Sequence, residues 1–169
     1  MRAANLAVLV IVVAVALSPA VAADDHVMRV GTYDNRAIAI AYAHSDYLPH
    51  KEKMAELDAA KAAGDTARVR ELENWGETHQ HAVHLMGFGN APVTELLALV
   101  ADGIPGVAEN AGVDVIARAC DFVGQDIEVV DVTMELVALF DPRQSAYDTI
   151  EAMEGVDPVP LAEIVPHDH

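Results

Sequence analysis

The chain has 169 residues, with 27 Asp and Glu against 10 Lys and Arg, a net charge of −17 and a pI near 4.5. That balance excludes non-specific nucleic-acid binding, which needs a basic surface to displace phosphate counterions. The length suits one domain, and 53% apolar residues are enough for a packed core.

Residues 6–17 are an unbroken apolar run after Arg2, followed by Ser18, Pro19 and the small residues Ala20, Val21 and Ala22. These are the three parts of a secretory signal peptide over residues 1–22, with cleavage near Ala22. The run is too short to span about 30 Å of hydrocarbon. The expectation is therefore a periplasmic or secreted protein with no transmembrane segment in its mature chain. Cys120 is the only cysteine, so no internal disulfide can form, and it reads as a small buried residue.

Residues 26–33 (HVMRVGTY) read as a strand, and residues 36–43 (RAIAIAYA) as a buried helix behind Asp34 and Asn35. Ser45 or Asp46 is the next candidate cap, with Pro49 in the first turn of the following helix. That helix runs to Ala63; Gly64 closes it and Asp65 caps a second, from Thr66 to about Met86. The two form an antiparallel hairpin over about residues 46–86. On its second arm Val69, Leu72, Gly76, His79, Val83 and Met86 follow one another in steps of three and four, the spacing of a helical seam. Beyond it, residues 92–101 and 104–112 read as helical and residues 113–119 and 127–132 as strands. Thr133 is read as the cap of a last core helix, MELVALF. Residues 141–169 form a partly irregular extension containing Pro158, Pro160 and Pro166. Charge is uneven: residues 24–89 are net −4, and residues 90–169, with 16 acids and 2 bases, net −14.

This order of elements resembles the OmpH/Skp family of periplasmic chaperones. The opening VGTYDNRAIA is similar to the family's first strand and polar turn. The block AENAGVDVIARA, then IEVVDVTMELVALF, resembles its helix, apolar strand and second strand ending in Asp131, Val132 and Thr133 before a terminal helix. The resemblance implies an α+β, Skp-like fold over residues 23–140: a small three-stranded β body with a projecting helical hairpin. It also implies a homotrimer and a non-catalytic chaperone or holdase for unfolded envelope proteins. Met54, Leu57 and Met86 are the candidate client-binding positions on the arms.

Eight histidines are the other distinctive feature. His81 and His84 share a helix face with Glu77, a pattern able to hold zinc or copper, whereas His79 lies about 160° from His81. Positions equidistant from Gly64 and Asp65 face each other across the hairpin, which sets Leu57 opposite Leu72 and His50 opposite His79. His50, His79, His81, His84 and Glu77 are thus the candidate metal ligands, although no cofactor is required by the chaperone reading. The same histidines support an alternative, a periplasmic metal-binding or pH-responsive protein; a structural assembly subunit of the envelope is another. The tail histidines His167 and His169 form a further weak metal-binding stretch. No nucleophile motif, phosphate-cradling glycine loop or HExxH stands in the sequence, and the expectation is a protein that is not an enzyme.

Overall fold

The computed structural model describes residues 27–165; the signal-peptide reading and the terminal histidines lie outside the described residues. The order of elements is β1 (Met28–Thr32), α1 (Asn35–Ala43), α2 (His50–Ala63), α3 (Thr66–Gly87), α4 (Thr94–Ala98), α5 (Ile104–Ala111), β2 (Val115–Ala117), β3 (Ile127–Asp131), α6 (Thr133–Ala138) and α7 (Gln144–Ala152). Short 3-10 turns follow α4 and close the described chain at Leu161–Glu163. No helix among the described residues is long and apolar enough to cross a membrane.

The class is α+β with three strands, but the body is not the Skp-like one expected. All three strands are parallel, with β1 in the centre between β2 and β3. Because β2 and β3 flank β1, residues 118–126 cannot form a tight hairpin turn. They return the chain from the end of one edge strand to the start of the other, as parallel pairing requires. Gly31 in β1 has its partners Ile116 and Val130 beside it on the inner face. A Cβ there would lie 3.1 Å from Val132 and 3.2 Å from Val113, so only glycine lets the central strand approach the core this closely.

α1 is the centre of that core. Asp34 caps it by accepting from the Arg36 N–H at 2.8 Å. Ile38, Ala39 and Ala41 are fully buried because α1 packs on α3, α4, α6 and α7 at once. Val93, Val132, Leu136, Val137 and Phe140 complete the cluster. The chain leaves α1 through Ser45, whose hydroxyl donates to the Tyr42 carbonyl and accepts from Tyr47 N–H. Ser45 therefore terminates α1 and does not cap α2, which starts behind Pro49 without a side-chain cap.

The hairpin arms are unequal, 14 residues in α2 and 22 in α3. Gly64 turns between them at φ 70° and the Asp65 carboxylate accepts from Arg68 N–H. The hairpin is also less projecting than expected: Val83 and Met86, on the last turns of α3, pack against the core cluster. Thr133 does not cap α6. Its own N–H donates to Asp131 at 2.8 Å, and its hydroxyl accepts from Asp34 N–H, tying the end of β3 to the end of β1.

Candidate functional site

Two arms that diverge from a tight turn leave a groove wherever the facing side chains are too few to fill it. Between α2 and α3 that groove encloses about 370 Å³ and is lined by Leu48, Met54, Leu57, Trp75, His79 and Val83, among others. Its volume lies within the range of small-molecule and peptide side-chain pockets. Ion pairs within α2 and across the arms flank it. Glu56 accepts from Lys53 at 3.1 Å and pairs with Arg68 on the opposite arm, and Lys61 lies 3.7 Å from Glu73. The hydrogen bond from Lys53, then that from Arg68, holds the Glu56 carboxyl below its ordinary range.

One wall is aromatic. The Trp75 and His79 rings stack with centroids 4.9 Å apart and planes 13° from parallel. Lys53 Nζ sits 5.8 Å from the Trp75 ring centroid on the other arm, within cation–π distance. His79 Nε2 is 3.1 Å from the Tyr42 hydroxyl on α1, which pins the second arm to the core helix. Burial lowers the His79 pKa and raises that of Tyr42. The neutral imidazole is thus the form the site favours, and its Nε2 is in use.

The other candidate residues are divided between the groove and positions outside it. His50 lines the same groove as His79, as does His84, but the exposed His50 side chain makes no hydrogen bond among the described residues. His84 packs its ring 5.0 Å from Phe88. His81 is half-buried with Nδ1 unpartnered, and Glu77 is exposed. His44 Nδ1 lies 2.9 Å from the Ser145 hydroxyl on α7. No three His, Cys, Asp or Glu side chains lie together as a metal site among the described residues. Met54, 43% exposed, and half-buried Leu57 both line the groove. Met86 does not; it belongs to the core contact of α3.

The seam spacing already joins Leu72, Gly76, His79 and Val83; the groove residues that lie off it are Leu48, Lys53, Glu73, Trp75 and Gln80. Trp75 is offset by one position from the seam residue Gly76, so a heptad reading leaves it on the flank. Gly76 itself supplied the signal. A glycine at a seam position removes a knob, and a Cβ built there would meet nothing within 4 Å, so the gap stays open as part of the groove.

Comparison with protein-family models, with curated proteins and with solved structures finds no match. The groove's chemistry therefore rests on its own geometry: an apolar slot with one aromatic wall, one cation above it and imidazoles at its rim.

Proposed function

We propose that this is an exported, non-catalytic protein-binding protein that holds apolar segments of unfolded envelope proteins in the groove between α2 and α3. The observation that carries the reading is the open groove itself, with Met54 exposed beside Trp75. Met is unbranched and polarizable, and so accommodates varied apolar partners. The segments AENAGVDVIARA and IEVVDVTMELVALF form the parallel edge strands β2 and β3, which removes the OmpH/Skp body from the comparison, so the protein-binding role rests on the groove. The outer face of the sheet supports assembly with copies of itself. Met28 and Val115 there are 48% and 47% exposed, although parallel sheets ordinarily have both faces covered.

Trp75 is the only tryptophan, so its fluorescence reports on the groove without labelling. Titration with an unfolded envelope protein is expected to shift the emission and to suppress that client's aggregation. A Met54→Ser, Leu57→Ser double variant that keeps its helicity should lose both effects. Aggregation that proceeds equally with and without the protein would overturn the reading. One observation favours a pH-responsive variant of the same role: the groove wall includes His79, whose neutral form burial favours.

A further inference from the structure

A parallel sheet gathers the carboxyl ends of its strands on one edge, and ligands of open α/β sheets bind in crevices outside that edge. Here a second cleft, of about 600 Å³, lies at that edge, away from the hairpin groove. Val129 and Val123 give it an apolar surface, the first from β3 and the second from the segment returning from β2 to β3.

Four charged side chains line it: Asp34, Arg36, Arg118 and Asp131. Two of them satisfy each other. Arg36 Nη2 lies 2.7 Å from Asp34 Oδ2, and Nη1 donates to the Val156 carbonyl at 2.6 Å. The remaining two are separate. Arg118, one of only two bases in residues 90–169, makes no ion pair or hydrogen bond among the described residues. Asp131 accepts from the Thr133 N–H through Oδ1, and its Oδ2 has no partner among the described residues. Arg118 follows the last residue of β2 and Asp131 ends β3, on either side of β1. Two strand spacings put these backbones about 10 Å apart, a gap that one long and one short side chain narrow to small-molecule scale. Tyr33 stands at the end of β1 between them. Burial raises its phenol pKa, and the nearby Arg118 charge opposes that rise.

The geometry points to a binding site for a small zwitterion, an amino acid or short peptide with an apolar side chain. Its carboxylate would be held by Arg118, its ammonium by Asp131 and its side chain by Val123 and Val129. An anion alone meets the Asp131 charge, and a cation alone meets Arg118; only a ligand carrying both groups satisfies both walls. The cleft's volume leaves room for more than one residue, so the free amino acid and the peptide are the two sources of this chemistry.

The test is calorimetry on the full mature chain with leucine, trileucine, N-acetyl-leucine and leucinamide. Cys120, the sole cysteine and a lining residue, gives a second readout, because an occupant should slow its reaction with a thiol reagent. The expected result is saturable binding of leucine or trileucine, with both capped derivatives weaker by about tenfold or more. Binding of trileucine alone would identify the peptide as the ligand. Arg118→Gln should abolish the discrimination against leucinamide, and Arg118→Lys should restore part of it. Asp131→Asn, which can still accept from Thr133 N–H, should abolish the discrimination against N-acetyl-leucine. No saturable binding of any probe up to about 10 mM, or equal binding of free and capped forms, would overturn the proposal.

Discussion

His79 connects three elements through one ring: it stacks on Trp75 of its own helix, meets Tyr42 of α1 and lines the groove that α2 closes. Its neighbours there are the uncharged Tyr42 and Trp75, with the Lys53 cation above Trp75, so nothing close offsets the burial that lowers its pKa. A pKa depressed on folding makes the contribution of this residue fully present above the unfolded value near 6.5 and lost as pH falls through the folded value. The urea midpoint is expected to fall between about pH 7.5 and pH 5.5, and less so in His79→Phe. An NMR titration of the His79 imidazole with a midpoint above 6.5 would contradict the assignment. Tyr42→Phe, which removes the hydroxyl partner, should cost about 1 kcal/mol. Gly31 is the other decisive single residue. Gly31→Ala forces a methyl against Val113 and Val132 and should destabilise by about 1–3 kcal/mol in denaturant unfolding.

At the scale of elements, the hairpin turn was legible because its signals are local. Gly64 is the residue that tolerates a positive φ, Asp65 is a preferred cap, and the helix observed from Thr66 begins where the sequence places it. Gly64→Ala should therefore cost roughly 1–2 kcal/mol, the penalty of a left-handed L-residue. Leu72, buried on the inner side of α3, should cost about 2–5 kcal/mol when cut to Ala, with loss of helical signal in circular dichroism. Less legible was the start of the first arm. Ser45 and Asp46 are both good caps by composition, yet Ser45 is consumed by the Tyr42 carbonyl and Tyr47 N–H. The groove was only half legible for the same reason. The seam pattern selects Leu57, His79 and Val83, whereas Trp75 enters from the flank, where it meets Lys53 of the other arm, and Met86 is drawn away by the core. Each of those outcomes depends on a neighbour distant in sequence.

For the whole molecule, the consequence of a centred β1 is a sheet with one face on the helices and the other covered only in part, buried at Val30 and exposed at Met28 and Val115. The exposed part of that face is apolar at Met28 and Val115, while the chain as a whole is strongly acidic. Association through that face would bring like-charged bodies together and should strengthen as salt screens them, since the Debye length falls to about 8 Å at physiological ionic strength. Light scattering is expected to give a mass above that of the 18.0 kDa chain, rising with added salt. A monomer at every salt concentration would refute self-association.

The sequence by itself determined the elements whose cause is local. Segments HVMRVGTY, VDVIARA and IEVVDV contain the three strands, shortened to Met28–Thr32, Val115–Ala117 and Ile127–Asp131, and RAIAIAYA contains most of the buried helix. It also determined the charge contrast between the two halves of the chain. Strand direction and order were decided only in the tertiary structure, because a short apolar strand carries the same alternation whether its neighbour runs parallel or antiparallel. That decision placed Arg118 and Asp131 on either side of Tyr33. These residues are far from one another or unremarkable in the sequence, and become a cleft only when β2 and β3 lie on opposite sides of β1.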